Sequence, residues 1–207
     1  MDRPDFIDSS PHLSPVLAER FHRAIEVVPD FPKEGILFRN VLAAMGSGRL
    51  HSELVEAMCS PYRGIRRELR AVIGIESRGF AGASAMAAFI GCDFVAARKA
   101  EPDGRGGWRC KLPGDLDIEA YDLEYGQAAL ALQRGTLDPG DKVIVWDDLL
   151  ATGGTAAAAG RLAQRQGALV VSYDFAIELA ALGGRKRLVP TAVPNSPTAG
   201  FHALLTY

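Results

Sequence analysis

Apolar residues near the start of the chain recur at helical spacing and then give way to a segment rich in turn residues. Leu17, Phe21 and Ile25 fall at every fourth position and predict one buried helix face. Ser14, followed by a proline, is typical of a helix start, because its side chain accepts hydrogen bonds from free N–H groups. Residues 29–35 contain two prolines and a glycine, and they predict a shaped loop. A second amphipathic helix is predicted by the apolar residues Leu50, Leu54, Val55 and Met58.

The rest of the chain alternates between short apolar runs and longer helical stretches. The runs that predict strands are residues 71–75, 94–97, 143–146 and 170–177. Helices are predicted at residues 82–90 and 155–166, and a hairpin beside the sheet at residues 121–125 and 129–132. Strands that alternate with helices indicate a parallel sheet covered on both faces. We therefore expect an α/β fold with a mainly parallel central sheet flanked by helices.

Length and composition favour one ordinary globular domain. The chain has 207 residues, of which 48% are hydrophobic and 23% charged, with neither an internal repeat nor a linker. We therefore treat residues 1–207 as one domain, with an N-terminal helical segment at residues 1–30. A net charge of -2 argues against nucleic acid as a partner.

The sequence predicts neither a targeting segment nor a disulfide or metal site built from cysteines. No apolar stretch approaches the roughly 18 residues of a membrane span, and the first residues lack the order of a signal peptide. Cys59, Cys92 and Cys110 are too few and too scattered for a disulfide framework or a metal pair. These observations predict a cytoplasmic protein without a membrane partner.

The strongest chemical signal is the segment VIVWDDLLATGGT at residues 143–155. Ligands of parallel sheets bind beyond the carboxyl ends of the strands, where Asp147 and Asp148 would emerge. Two carboxylates that only accept hydrogen bonds suit the paired hydroxyl groups of a sugar. The following glycine pair permits close backbone approach, and the N-terminus of the next helix attracts an anion. The segment therefore predicts a site for a phosphorylated sugar.

Two other kinds of nucleotide-binding protein, ATPases and dinucleotide-binding enzymes, are not supported because their glycine-rich motifs are missing from the sequence. An apolar run followed by two aspartates also resembles the magnesium-binding strand of an ATPase, but the chain contains no GxxxxGK[ST] loop. No GxGxxG fingerprint opens a strand–helix unit either. A purely structural turn would not need two adjacent carboxylates and two threonines around a glycine pair.

These residues resemble the phosphoribosyl-pyrophosphate signature of the type I phosphoribosyltransferases. Further segments resemble the adenine branch of that family: residues 31–40 (FPKEGILFRN), 74–80 (GIESRGF), 98–99 (RK), 111–114 (KLPG), 121–126 (YDLEYG), 177–179 (IEL) and 204–207 (LLTY). The resemblance runs in order from about residue 31 to residue 207. It implies a purine salvage enzyme that converts adenine and phosphoribosyl pyrophosphate to AMP and pyrophosphate, with Mg²⁺ held mainly by substrate and water. The family also implies a homodimer.

The resemblance assigns a role to each matching residue. Glu124 would be the catalytic carboxylate, which exchanges a proton with the imidazole edge of the purine. Phosphoribosyl pyrophosphate would be bound by Ser77, Arg78, Gly79, Arg98, Lys99, Lys111, Asp147, Asp148, Ala151, Thr152, Gly153, Gly154 and Thr155. The base would be bound by Leu37, Phe38, Arg39 and Leu149. Taken alone, Arg98, Lys99 and Lys111 are more typical of a solvated surface than of a binding site. By itself Phe38 fits a core position equally well, and Glu124 an exposed strand.

The chain departs from the family pattern at four places. Glu76 and Asn40 stand where the branch usually has aspartate, and Trp146 replaces a small aliphatic residue. Residues 101–109 (EPDGRGGWR) are an insertion within the flexible catalytic loop region, residues 98–126. Its glycines and Trp108 suggest a lid over the substrate, although a surface excursion explains the composition nearly as well.

Two alternative functions stay open at this point. The same transfer to hypoxanthine, guanine or xanthine differs from the adenine reaction only in the hydrogen-bonding edge of the base. A non-catalytic regulator that binds phosphoribosyl pyrophosphate would be expected to carry a nucleic-acid-binding element, and the sequence offers none. The four histidines match no part of the expected site and are interpreted as incidental: His12, His22, His51 and His202.

Overall fold

The computed structural model describes residues 7–123, 126–191 and 200–207. Its α-helices are α1 (Pro15–Ala24), α2 (Val41–Met45), α3 (Gly48–Cys59), α4 (Gly79–Ile90) and α5 (Gly154–Arg165). Short 3₁₀ helices lie at Ser60–Tyr62, Arg66–Glu68, Ala180–Leu182 and Gly184–Arg187. The strands are β1 (Asp8–Ser9), β2 (Glu26–Val28), β3 (Phe38–Asn40), β4 (Leu69–Ile75), β5 (Asp93–Pro102), β6 (Trp108–Arg109), β7 (Leu116–Leu123), β8 (Gly126–Gln133), β9 (Lys142–Leu150), β10 (Leu169–Glu178) and β11 (Gly200–Thr206).

The main sheet has five parallel strands at its centre and antiparallel strands at both ends. Strands β11, β10, β9, β4 and β5 are parallel neighbours in that order. The β7–β8 hairpin joins β5 on one side, and β1 pairs with β11 on the other. The structure confirms the predicted α/β fold, its strand–helix units and the hairpin beside the sheet. Strands β2 and β3 form a separate two-stranded sheet.

Strand β9 shows why the centre of the sheet is continuously apolar. Its residues alternate between two hydrophobic clusters, one on each face of the sheet. Ile144 and Trp146 pack with the helices α1 to α4, while Val143 and Val145 pack with α5. All four side chains are fully buried. Because both faces are covered, the polar end of the strand is the part open to a ligand.

The two predicted amphipathic helices form as their patterns indicate. The Ser14 hydroxyl accepts a hydrogen bond from the N–H of Leu17 at 3.2 Å and caps α1. Phe21 and Ile25 are buried at 0% and 1% exposure. On α3, the predicted apolar positions are also buried: Leu50, Leu54, Val55 and Met58. Residues 29–37 between β2 and β3 carry neither helix nor strand, in agreement with the predicted loop.

The inserted residues 101–109 fold back on the sheet as a hairpin. Strand β5 continues to Pro102 and pairs with β6 in antiparallel register. The Asp103 carboxylate closes the turn, since it accepts hydrogen bonds from the N–H groups of Arg105 at 2.7 Å and Gly107 at 2.8 Å. Trp108 is half-buried against the small cluster of Ala100, Ala129 and Ala131. The hairpin therefore has an apolar contact with the sheet.

Two features of the described residues bear on the expectations for membrane spans and for cysteine pairs. None of their helices is long and apolar enough to cross a bilayer. The thiols of Cys59, Cys92 and Cys110 are free; Cys59 is buried and Cys92 is half-buried against the main core.

Candidate active site

The predicted acid pair and phosphate loop lie together at the carboxyl end of β9. Asp148 is 2% exposed and Asp147 is half-buried. Residues 151–153 then turn the chain into α5, which begins at Gly154. Gly153 has a φ of 81°, and a Cβ there would lie 2.4 Å from the carbonyl oxygen of Gly184. Only glycine suits this position, which aims the N-terminus of α5 at the end of the strand.

Burial and a single arginine set the electrostatics of the acid pair. Burial raises the pKa of Asp147 well above its ordinary value, and the charge of Asp148 adds to the effect. Burial also raises the pKa of Asp148, against the opposing attraction of Arg78. The Nε of Arg78 lies 3.2 Å from Oδ2 of Asp148, an oxygen without a hydrogen-bond partner among the described residues. A buried carboxylate oxygen with free acceptor capacity suits a hydroxyl donor from a ligand.

The predicted pyrophosphate loop joins β4 to α4 and lies beside the acid pair. The peptide bond between Glu76 and Ser77 is cis. A Cβ on Gly79 would lie 2.8 Å from Oδ1 of Asp147, so the glycine permits the close approach of the two segments. The loop therefore presents Ser77 and Arg78 directly over the acid pair.

These segments enclose neighbouring cavities. The cavity over the acid pair has a volume of about 460 Å³, and its lining includes Ser77, Arg78, Lys99, Tyr121, Asp147, Asp148, Leu149, Ala151 and Thr155. A small recess of about 70 Å³ is lined by residues 149–156 together with Asp147 and Phe175. A third cavity of about 390 Å³ lies beside the inserted hairpin and is lined by Glu76, Arg98, Lys99, Glu101, Arg109, Cys110 and Lys111. Because the first and third cavities share Glu76 and Lys99, the predicted cationic residues Arg98 and Lys111 adjoin the acid pair's cavity.

The predicted base-binding segment reaches the same place through Phe38. The guanidinium carbon of Arg78 lies 5.3 Å from the centre of the Phe38 ring, and the rings of Phe31 and Phe38 meet edge to face at 5.2 Å. Leu149 lines the cavity over the acid pair. Leu37, next to Phe38 on the chain, is half-buried. Arg78 thus contacts both the base-binding segment and Asp148.

Glu124 lies outside the described residues, and its catalytic role stays a prediction. Tyr121, three residues earlier on β7, lines the cavity over the acid pair. Its ring also contacts the start of α5, since its Cδ2 is 3.4 Å from where a Cβ of Gly154 would lie. The β7–β8 hairpin therefore adjoins the phosphate loop.

Comparison with known proteins identifies the family. No protein-family model matches the sequence. The adenine phosphoribosyltransferase of Anaeromyxobacter dehalogenans (strain 2CP-C) is 42% identical over 183 residues, which cover 88% of this chain and 95% of that protein. The chain belongs to the adenine phosphoribosyltransferase family. The resemblance implied by the motifs is confirmed.

Solved adenine phosphoribosyltransferases share the fold. The crystal structure of the Rhodothermus marinus protein has a TM-score of 0.79 at 36% identity and covers 94% of this chain and 100% of that one. The Saccharomyces cerevisiae protein, solved in complex with an imino-altritol bisphosphate and adenine, has a TM-score of 0.76 at 32% identity. It covers 86% of this chain and 97% of its own.

The departures from the adenine phosphoribosyltransferase pattern all find partners in the structure. Oε2 of Glu76 accepts hydrogen bonds from Nε of Arg98 and from the N–H of Lys99, both at 2.8 Å. Burial alone would raise the pKa of Glu76, but these contacts outweigh it and lower the pKa. The Asn40 side chain donates to Glu26 at 2.8 Å. The Glu76 carboxylate thus holds Arg98 at the edge of the site.

The third departure, Trp146, fits because the facing helix position has no side chain. A Cβ on Gly82 would lie 2.2 Å from the Trp146 indole, which is 0% exposed. The indole Nε1 donates to the sulfur of Met58 at 3.3 Å. The larger residue under the acid pair is therefore accommodated by α4 and α3.

Sequence reasoning missed two groups of residues around the site. The first is the segment behind the phosphate loop, where a Cβ on Gly184 would lie 2.3 Å from the carbonyl oxygen of Ala151. Arg185 fixes this segment with two hydrogen bonds from Nε to the Glu178 carboxylate, at 2.8 and 2.9 Å. The glycine pair at residues 183–184 was the available signal. The second group is His22 and Tyr207, which contact each other beside Arg39; residues 204–207 matched the family pattern, but the sequence assigned neither residue a role in the site.

Proposed function

We propose that this chain transfers the phosphoribosyl group of phosphoribosyl pyrophosphate to adenine, which forms AMP and releases pyrophosphate. The observation that carries the proposal is the convergence of the acid pair, Arg78 and the N-terminus of α5 on one cavity. A sugar with a phosphate on one side and a pyrophosphate on the other matches these three groups in chemistry. Family membership supplies the base.

The sugar phosphate would be oriented by β9 and α5. Asp147 and Asp148 accept hydrogen bonds from the ribose hydroxyls, and Oδ2 of Asp148, which pairs with Arg78 but accepts no hydrogen bond among the described residues, is suited to one of them. Residues 151–155 bind the 5-phosphate through backbone N–H groups, the threonine hydroxyls and the positive end of the helix dipole. Fixing the sugar at both ends holds its anomeric carbon toward the base.

The leaving pyrophosphate would be stabilised by the opposite wall of the cavity. Negative charge grows on it as the bond to the anomeric carbon breaks, and the protein must meet that charge in place. Ser77, Arg78 and the backbone at Gly79 bind it, with Lys99, Arg98 and Lys111 as further cationic contacts. The adjoining cavity beside the hairpin supports this assignment, because most of its ionisable lining is basic. The bond from Arg98 to Glu76 holds one of these cations in position.

Glu124 would handle the proton of the base. As the base nitrogen attacks the anomeric carbon, the imidazole edge of the purine exchanges a proton with this carboxylate. Such general acid–base help is typically worth about 10²–10⁴-fold in rate. The assignment is carried over from the matching motif at residues 121–126.

The base would lie between Phe38 and Leu149, with backbone groups reading its edge. The exocyclic amino group of adenine needs an acceptor, which a carbonyl near Leu37 or Arg39 supplies. A 6-oxo purine presents an acceptor there and would leave buried groups unpaired. Support comes from the contact of Arg78 with both Phe38 and Asp148, which brings the base segment to the sugar site.

Magnesium would enter with the substrate. Carboxylate oxygens are the donors that Mg²⁺ prefers, and Asp147 and Asp148 supply them in the cavity. Residues 7–123, 126–191 and 200–207 contain no cluster of three acidic, histidine or cysteine side chains that could cage an ion. Pyrophosphate oxygens and water would mainly hold the ion, which would neutralise charge on the leaving group.

The proposed homodimer is supported by exposed aromatic side chains of the single chain. Phe89 on α4 and Phe94 on β5 are both exposed, and Phe94 packs edge to face with Phe80 at 5.5 Å. A homodimer would cover such exposed aromatic side chains. Phe89→Glu should give a monomer in sedimentation analysis. The free cysteines suit the reducing cytoplasm in which we place the protein.

A panel of purines tests the proposed function. Pyrophosphate release is measured with phosphoribosyl pyrophosphate, Mg²⁺ and each of adenine, hypoxanthine, guanine and xanthine. Adenine should give the highest kcat/KM, and Glu124→Leu should lower turnover with little change in binding of phosphoribosyl pyrophosphate. Faster turnover with a 6-oxo purine would show that adenine is not the preferred substrate. Binding of phosphoribosyl pyrophosphate without turnover on any base would identify a regulator instead.

A further inference from the structure

Strand β3, which carries the proposed base-binding backbone, is joined to the rest of the molecule by α2, which follows it directly at Val41, and by its side chains. Among the described residues it pairs only with β2, over three residue pairs, in a sheet separate from the main one. A two-stranded sheet of this length is marginal by itself. Beyond the junction of β3 with α2, the position of Phe38 and Arg39 therefore depends on what their side chains contact.

The two side chains leave β3 on opposite faces, as successive residues of a strand do. Phe38 contacts Arg78 on the side of the acid pair. Arg39 is 9% exposed, and its guanidinium carbon lies 4.3 Å from the centre of the Tyr207 ring. Burial lowers the pKa of Arg39, an effect that Tyr207 opposes. Its Nε has no hydrogen-bond partner among the described residues, so the aromatic face helps to offset the burial of the charge.

Tyr207 is in turn fixed by α1 and by the main sheet. Its phenol oxygen lies 2.9 Å from Nδ1 of His22, which is 6% exposed near the end of α1. Its backbone N–H donates to the carbonyl of Glu178 at 2.8 Å, and its carbonyl accepts from the N–H of Ala180 at 2.9 Å. The contacts from His22 through Tyr207 to Arg39 tie β3 to the end of β10.

We infer that Tyr207 and His22 are positioning residues for base selection, which act by holding Arg39 and with it the backbone of β3. The inference rests on the proposed function, in which that backbone reads the amino edge of adenine. Neither residue contacts the reacting atoms. A hydrogen-bond acceptor that moves by a fraction of an ångström loses much of its preference for the correct donor. Adenine binding should therefore depend on Tyr207, while sugar binding should not.

Two substitutions at Tyr207 separate its ring from its hydroxyl. Tyr207→Leu removes the aromatic face under Arg39 and should raise the KM for adenine about tenfold. Tyr207→Phe keeps the face, loses the bond to His22 and should raise that KM about threefold. The KM for phosphoribosyl pyrophosphate should stay within about twofold in both variants, because the sugar site is formed by other elements. His22→Gln, which retains a polar side chain, should resemble Tyr207→Phe.

Tyr62→Phe is the matched control for a merely structural effect. The Tyr62 hydroxyl donates to Asp174 of β10 at 2.6 Å within the core. This variant should lower the melting temperature and leave both KM values unchanged. A rise in the KM for adenine in Tyr62→Phe, or equal rises for both substrates in Tyr207→Leu, would reduce Tyr207 to a stability residue. An unchanged KM for adenine in a folded Tyr207→Leu protein would overturn the inference. If the unaltered protein does not use adenine, the proposed function itself fails, and this outcome is distinguishable from a failure of the inference about Tyr207.

Discussion

Gly82 and Trp146 pack against each other directly beneath the acid pair. Substituting each of them tests how α4 supports β9, the strand that carries the acid pair. The perturbation is a set of three variants: Gly82→Ala, Trp146→Val and the two combined. A Cβ at residue 82 would lie 2.2 Å from the indole, far inside a normal contact. The indole is 0% exposed and bonded to the sulfur of Met58, so it has little room to move away.

The expected magnitudes follow from that geometry. Overpacking of this kind costs about 1–3 kcal/mol, against a gain of about 1 kcal/mol when alanine replaces glycine within a helix. Because 2.2 Å lies far inside a normal contact, the overpacking cost should fall at the upper end of that range, about 2–3 kcal/mol, so Gly82→Ala should destabilise the fold by about 1–2 kcal/mol. Trp146→Val removes most of a buried indole and should cost about 3 kcal/mol. In the double variant the methyl group enters the space left by the indole, so the combined loss should be smaller than the sum by about 1 kcal/mol or more.

Urea unfolding followed by circular dichroism measures these free energies as shifts of the midpoint at constant slope. Gly48→Ala on α3 is the control, since a Cβ there would meet nothing within 4 Å. That variant should be neutral or slightly stabilising. Losses for Gly82→Ala and Trp146→Val that add within about 0.5 kcal/mol would refute the contact between them. So would a Gly82→Ala protein as stable as the unaltered one.

Three further predictions concern the site and its surroundings. Asp148→Asn should raise the KM for phosphoribosyl pyrophosphate about tenfold or more while the protein becomes no less stable, because the buried carboxylate gives up an acceptor and a desolvation cost together. Unchanged affinity of Asp148→Asn for phosphoribosyl pyrophosphate in calorimetric titration would contradict the proposed contact of Asp148 with the sugar. Burial lowers the pKa of His51, so the unfolded chain binds more protons there; unfolding free energy should fall as pH drops below about 6.5. His51→Gln should weaken that pH dependence in chemical unfolding. A pH profile identical to that of the unaltered protein would show that His51 does not cause it. In a Trp146→Phe background, Trp108 emission should shift when phosphoribosyl pyrophosphate and Mg²⁺ are added, if the inserted hairpin closes. Constant emission, with normal kinetics after deletion of residues 101–109, would show that the hairpin is not a lid.

The elements of the fold follow from local patterns, and so does the centre of the site. Apolar spacing predicted α1 and α3, and the alternation of runs and helices predicted the parallel strands, because these signals lie within one element. The motif at residues 143–155 is equally local: a strand, two acids, a glycine pair and a helix start occur in one segment. For that reason Asp147, Asp148 and the phosphate loop could be placed from the sequence.

Only the tertiary structure decided which distant side chains support that centre. Tyr207 contacts Arg39 and His22 across most of the length of the chain, and its pattern of neighbours carries no periodic signal. The match of Gly82 to Trp146 likewise exists only once α4 packs on β9. Such contacts depend on the order of strands in the sheet and on the packing of close-fitting side chains between layers. The sequence by itself therefore determined the elements and the chemistry of the phosphate loop, whereas the packing of remote segments decided how the base-binding strand is held.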